Sequence, residues 1–423
     1  MLRREEKGES EIWKEIWSKK SEKEEMAPIR VKTALELLGS PQTLFTPVLS
    51  WGEGKESACA LLESLLQTYG VSSGLFRAGA KDLKGAIKAR GKSPSSKRLS
   101  DLYEELENFL SLAEEKFEKE GLGKMGPLET LLCLSALEFS DEPVDAGIFE
   151  VPEEGFEGIF RELDPAGLIL TSDPSCPLPL DLIKPPSFIA SLLQREEEME
   201  ALRERAQESE SPLMVDGENM KVYNDLLAVG GQVADLSTPR GLYPQVPIKL
   251  FGEFQAHLAL LSLSAAEMML SEGKLEEDLV SEAFGSVNVP GSLKVEKPDP
   301  LTLSCSASSP FKTDLCLSAL EDTFHPSSLA AVLAAGENFD PASLKVLSER
   351  CDLLVATELP GGKTGAKDLF SMAKGCFDEG SLLCIPDFPS ALNRAREIVS
   401  GQEGCVLVTG GMEAVLEAEK ELN

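Results

Sequence analysis

The chain has 423 residues, 72 acidic against 41 basic, and a formal charge of −31 near neutral pH. So acidic a chain excludes nucleic acid and anionic membranes as expected partners, because it offers few cationic groups to release counter-ions. With 42% hydrophobic residues it can bury a substantial core, and its length fits two or three domains. Nine cysteines without a CxxC spacing lie mostly inside apolar segments, the pattern of reduced core thiols in a cytoplasmic protein. Only His257 and His325 occur, which excludes a His-rich metal site; structural roles are expected for both. The charged first 25 residues lack the apolar core of a signal peptide, and no run of about 20 apolar residues occurs to span a membrane.

In the N-terminal arm, residues 1–25, Ile12, Trp13, Ile16 and Trp17 share one face at helical spacing. Two readings stand: a helix docked on its own domain, or a Trp13/Trp17 hook for a protein partner. Met26 precedes the first clearly patterned segment, so an appended arm or a misassigned start is also open. Helical periodicity over Val31 to Leu38 leads to a predicted strand, Leu44 to Leu49. The turn Trp51-Gly52-Glu53-Gly54-Lys55-Glu56-Ser57 follows, then a helix to about Thr68. Strand, Gly-rich turn and helix is the order in which backbone amides and a Lys cradle polyphosphate. Glu53 and Glu56 put carboxylates where that anion would sit. A like-charge pair about 4 Å apart costs roughly 4 kcal/mol at an effective dielectric of about 20, before solvent and counter-ions reduce it.

Gly74 to Arg77 reads as a second strand, Ala80 to Arg98 as a basic excursion, and Asp101 to Glu118 as an amphipathic helix with a solvated acidic face. A helix over Pro127 to Phe139 leads into strands at Asp145 to Glu150 and Gly167 to Thr171. This alternation predicts a largely parallel sheet covered on both faces. Arg195 to Glu210 reads as an exposed helix feeding a strand at Leu213 to Val215. Gly252 to Leu270 and Leu275 to Phe284 are apolar helices, and Pro290 to Pro300, with three prolines, is the best boundary. Strands near Leu301 to Ser304, Leu329 to Ala335, Leu353 to Thr357, Leu382 to Ile385 and Val406 to Thr409 then alternate with helices as a second, smaller doubly wound unit. The expected organisation is α/β: the arm 1–25, a domain over 26–290 and a domain over 297–423.

In this order the segments resemble the bifunctional folylpolyglutamate synthase/dihydrofolate synthase family, a branch of the Mur ligase superfamily, from about Arg30 to Leu422. The stretch from Ala34 to Gln42 resembles the family's lead-in to its first strand, and Gly52 to Ser57 its GTNGKGS loop. Val144 to Val151 is similar to VDVAVLEV, Gly252-Glu253-Phe254-Gln255 to its GxHQ/GxFQ helix start, and Val289 to Leu293 to its interdomain PGR(L) turn. The resemblance implies a P-loop-type parallel-sheet ATPase domain and a Rossmann-like C-terminal domain, working as a monomer. It implies ATP and magnesium as cofactors, with a folate or pteroate carboxylate activated as an acyl phosphate for attack by glutamate. Gly54, Lys55, Ser57 and Gln255 are the nucleotide-binding candidates so implied, and Ser57 and Glu150 the magnesium candidates. Glu150 has a bland alternative, an acid at an ordinary solvated strand end.

Departures from the pattern fall in both halves. Pro152 to Gly158 lacks the Arg, Asp and Asn of the family's GLGGRLDATN, and Thr171-Ser172-Asp173-Pro174 lacks its metal-binding His. Pro179 stands at the usually carbamylated Lys of KAGIIKP, Leu258 at an Asn near adenine and Ser292 at the interdomain Arg. Cys305-Ser306-Ala307-Ser308-Ser309-Pro310 replaces DGAHNP. The expectation is a two-domain protein without a catalytic residue set, acting as a binding or regulatory paralogue toward a nucleotide or folate-like molecule. A divergent active ligase using Lys55, Ser57 and Glu150, and a structural complex-forming protein, are the alternatives.

Overall fold

The structure, a computed structural model, describes residues 7–152, 157–172, 176–185, 187–270, 273–336, 339–400 and 403–422. Two compact units emerge: residues 1–223, 235–246 and 257–286, and residues 224–234, 247–256 and 287–423.

The first unit opens with helices α1 (Glu9–Ser18) and α2 (Ala27–Leu37), strand β1 (Thr46–Trp51), α3 (Lys55–Thr68) and β2 (Ser73–Phe76). There follow α4 (Leu83–Ala86), β3 (Ile87–Ala89), α5 (Ser96–Glu120), α6 (Pro127–Asp141), β4 (Ala146–Val151), α7 (Glu157–Arg161) and β5 (Gly167–Leu170). After β6 (Phe188–Ser191), α8 (Glu196–Glu208) and β7 (Leu213–Val215), the sheet is complete in the order β3-β2-β4-β1-β5-β6-β7. Pairings from β2 to β7 are parallel and β3 closes one edge antiparallel, as the strand and helix alternation predicts. Central strands β1 and β4 are buried almost throughout, which is why they read as continuous apolar runs rather than alternating ones.

Two local differences from the predicted elements have physical causes. The expected excursion over Ala80 to Arg98 contains α4 and β3, capped and paired locally: the Asp82 carboxylate accepts from the Gly85 amide, and β3 pairs with β2. Helix α5 begins earlier than its apolar pattern, because the Ser95 hydroxyl accepts from the Arg98 amide and fixes the first turn.

Residues 8–30 pack as an integral part of this unit. Ile12 and Ile16 are fully buried in its core, Trp13 is half-buried against it, and Trp17 stays 47% exposed. Fully buried Arg30 ties the arm down. It makes a bidentate pair with Glu129, at 2.9 Å from Nε and 2.8 Å from Nη2, and donates to the carbonyls of Glu22 (2.7 Å), Lys23 (3.0 Å) and Leu122 (2.8 Å) and to Ser21 Oγ (3.0 Å). The docked-helix reading of the arm describes this geometry.

Between β7 and the second sheet run β8 (Lys221–Ala228), β9 (Gly231–Thr238), β10 (Gly241–Ile248), α9 (Glu253–Leu270) and α10 (Glu277–Ser286). The three strands form a sheet in the order β10-β9-β8 where no element is predicted. Their pattern is masked: β8 is buried on neither face, and β10 carries Pro244 and Pro247.

The second unit contains β11 (Lys294–Pro298), β12 (Leu301–Ser304), α11 (Pro310–Phe324), β13 (Leu329–Leu333), α12 (Ser343–Arg350), β14 (Leu353–Ala356), α13 (Ala366–Ala373), β15 (Leu382–Cys384), α14 (Phe388–Val399), β16 (Cys405–Thr409) and α15 (Met412–Leu422). Its sheet order is β11-β12-β16-β13-β14-β15, parallel except for the β11 edge. The proline-rich stretch read as a boundary thus supplies an edge strand, where missing amides are tolerated. All nine cysteines are free; Cys376 is exposed, Cys384 partly so, and the rest are buried. Burial pushes the Cys133, Cys351 and Cys405 thiols above their ordinary range, and a hydrogen bond to Cys305 together with burial does the same to Cys316. Among the described residues no helix is long and apolar enough to cross a membrane.

Candidate functional site

At the carboxyl end of the first sheet, β1 delivers the chain into the Gly52–Ser57 turn and α3 carries it away. Gly52 and Gly54 have φ of +96° and +84°, backbone that side chains rarely adopt. Space also forbids a side chain at 52: a Cβ there would lie 2.5 Å from Thr171 Oγ1. The turn is clamped from β5, whose following residue Thr171 donates its hydroxyl to Trp51 O at 2.9 Å, while the Glu53 amide donates to Ser172 O at 3.1 Å. Gly54 offers no side-chain cap to α3, the arrangement of an anion-binding helix start. Yet Glu53, Lys55 and Ser57 are all buried, at 8%, 6% and 5% exposed. A lysine and a carboxylate therefore share the interior of one turn.

Register places the next layer. Ser50 on β1 lies opposite Glu150 on β4, and the β2–β4 pairing ends at Phe76 opposite Phe149, so Arg77 arrives at the level of Glu150. Arg77 Nε is 3.4 Å from Glu150 Oε1, with the glutamate side chain 3% exposed and the arginine 19%. Alternation puts Ser50, Glu150 and Arg77 on the sheet face carrying Val48, Ile148 and Leu75, and Lys88, opposite Leu75 on β3, shares it. Helix α3 covers this face with Cys59 and Glu63. Burial raises the Cys59 thiol, and the Glu150 charge raises it further against a hydrogen bond to Ser50 and the Arg77 charge. Burial also raises the Glu63 carboxyl, with Lys88 and Arg77 opposing. Lys88 is lowered by burial and then by Arg77, against Glu63 and Glu150. Two carboxylates and two cations make a compact charge cluster beneath the turn.

The magnesium expectation can be tested on this geometry. Magnesium demands near-octahedral oxygen ligands at about 2.0–2.1 Å and keeps several waters. Glu150 instead faces a guanidinium, and a divalent ion about 4 Å from a unit positive charge is repelled by roughly 8 kcal/mol at an effective dielectric of about 20. Among the described residues no group of three or more His, Cys, Asp or Glu could hold a metal ion. With Arg77 against the carboxylate, the described residues do not fit a divalent cation at Glu150.

Lys55, Ser57 and Glu150 are thus brought to one end of one sheet. Gln255, in the first turn of α9, belongs to the second unit, where its amide donates to Gly252 O at 2.9 Å. Pro179 is buried and accepts from the Leu182 amide at 3.0 Å, closing a short turn. Ser292 folds back on its own turn, Oγ to Val289 O at 2.8 Å, and Ser309 caps α11 through the Lys312 amide. The Gly-rich stretch after β4 at 153–156, and Asp173 and Pro174, lie outside the described residues. Sequence reasoning missed Arg77, Lys88 and Glu63; Arg77 stands just past a short strand, Lys88 inside a three-residue strand and Glu63 within α3, and none of these places is a signal by itself. It also left His257 structural; His257 Nδ1 is hydrogen-bonded to the Asp216 carboxylate just beyond β7.

Comparison with known proteins places this geometry. No protein-family model matches the chain. Its sequence is similar to the dihydrofolate synthase/folylpolyglutamate synthase of Mycobacterium tuberculosis (strain ATCC 25618 / H37Rv), 24% identical over 380 residues, covering 81% of this chain and 76% of that protein. Among solved structures, Mycobacterium tuberculosis folylpolyglutamate synthase complexed with ADP matches with a TM-score of 0.84 and 20% identity, over 98% of this chain and 97% of that one. The apo form of the L. casei enzyme matches with a TM-score of 0.81 and 15% identity over 99% and 100%, and the Thermotoga maritima enzyme with 0.78 and 17% over 98% and 96%. The sequence is similar to that of a dihydrofolate synthase/folylpolyglutamate synthase, and the fold is the α/β fold of the folylpolyglutamate synthases it matches.

Proposed function

We propose that this folylpolyglutamate-synthase-like chain has lost the ligation of glutamate to folate or dihydropteroate and acts in the cytoplasm as a binding or regulatory paralogue. The observation that carries the reading is Glu53, a carboxylate at 8% exposure inside the turn that would receive a nucleotide's phosphates. The Glu53 backbone is tied to Ser172 by a β-bridge, which keeps the residue within the turn. Glu56, Pro179, Ser292 and the Cys305 to Pro310 segment support it from sequence. Acyl-phosphate formation gathers negative charge and needs cationic and metal compensation, whereas Glu56 adds a carboxylate and the other positions lack the groups the resemblance implies. The test is ADP release from ATP, magnesium and glutamate with dihydropteroate or tetrahydrofolate. No ADP is expected above background; turnover abolished by Lys55→Ala would overturn the proposal.

The retained Gly54, Lys55 and Ser57 favour a second reading, a divergent ligase on another acceptor. It requires nucleotide binding, so no calorimetric heat and no thermal stabilisation at millimolar magnesium-ATP would sink it.

A further inference from the structure

We infer that the Arg77 guanidinium is the resident cation of the Glu150 site and keeps divalent metal ions out of it. The inference deepens, and rests on, the reading of the adjoining turn as a former nucleotide site. Arg77 is not a surface side chain that has strayed across. Its amide donates to Ala86 O at 2.8 Å, extending the β2–β3 pairing by one residue, so its backbone is part of the sheet. The parallel register then sets it level with Glu150, on the same face, with 3.4 Å between Nε and Oε1. Lys88 on the same face adds a second cation; its charge acts on Glu63, and the charges of Glu63 and Glu150 act on it. Glu63 and Glu150 are thus matched by two fixed positive charges of the protein itself. A divalent ion entering at Glu150 must displace the guanidinium and leave it without its carboxylate in a largely buried position. An ordinary structural ion pair would hold β2 against β4 equally well, but its removal would not create a metal site.

The experiment is a titration of the full-length protein with Mn2+ alone, read by electron paramagnetic resonance of the free ion. Wild type and Glu150→Gln are expected to give the same weak binding, which the acidic surface supplies. Arg77→Ala should gain a site at least tenfold tighter, absent from the Arg77→Ala/Glu150→Gln double variant, while Arg77→Lys stays like wild type. Wild-type Mn2+ binding that is lost in Glu150→Gln overturns the inference, and so does an Arg77→Ala protein that gains no Glu150-dependent site. If circular dichroism shows Arg77→Ala unfolded, Arg77→Gln replaces it and must gain the same Glu150-dependent site, failing which the inference falls. Magnesium-dependent ADP formation without Mn2+ binding at Glu150 would defeat the proposed loss of ligase activity and leave this inference standing.

Discussion

Arg30 with Glu129 and Arg77 with Glu150 are both buried arginine–glutamate pairs of the first unit, and they are built differently. Arg30 meets a bidentate carboxylate, three carbonyls and a hydroxyl, every contact between 2.7 and 3.0 Å, and is fully buried. Arg77 makes one 3.4 Å approach to Glu150 and keeps 19% of its side chain open. Full satisfaction of a buried guanidinium marks a group that holds segments together, here the arm, the 121–126 loop and α6. Loose pairing at the carboxyl end of parallel strands, where α/β folds place their ligands, marks a group standing in a site.

The sharpest way to break that contrast is to remove Arg30. Arg30→Ala should cost about 3–5 kcal/mol, because the buried Glu129 carboxylate loses its countercharge and keeps only Ser21 Oγ and the Gly126 amide as donors. Arg30→Lys should recover only part of this, since an ammonium cannot reproduce the planar fork. Equilibrium urea unfolding measures both, and a loss below about 1 kcal/mol would erase the distinction. Arg77→Ala should cost less, about 1–3 kcal/mol, because the guanidinium is partly open and makes fewer contacts; a larger loss than for Arg30→Ala would make Arg77 the structural pair.

A pH series sharpens the contrast on the site side. Burial holds the folded-state Glu63 carboxyl above its ordinary value of 4.5. The folded protein thus binds that proton more tightly than the unfolded chain, and stability falls as pH rises from the ordinary value through the raised one. The penalty is complete above the raised value and absent below 4.5. Glu63→Gln should therefore raise the denaturation midpoint relative to wild type at pH 7 and lose that advantage at pH 4. The smallest effect belongs to the arm's outer face: Trp17→Ser should change stability by no more than about 0.5 kcal/mol. A larger loss would show that Trp17 packs against something beyond Trp13.

What could be read from the residues was local. The turn at Gly52–Ser57 announced itself because strand, glycines, Lys and helix are consecutive, and both parallel sheets followed from alternating apolar segments. Arg77 was hidden, because its meeting with Glu150 depends on the register of two strands separated by three helices. Arg30 carries no sign of burial in the sequence, because Ser21 to Lys23, Leu122 and Glu129 meet around it only in the fold. The β8–β10 sheet escaped because β8 is buried on neither face, the buried face of β9 mixes Gln232 and Thr238 with its apolar residues, and two prolines interrupt β10.

The thiols of the second unit give the molecule an internal clock. Cys305, Cys316, Cys351 and Cys405 are buried in its core, while Cys376 is exposed and Cys384 partly so. A maleimide reagent should therefore mark Cys376 at once, Cys384 more slowly, and the four interior sulfurs only as fast as that unit opens. Mass shifts recorded against time would then time the breathing of one half of the chain without any engineered label.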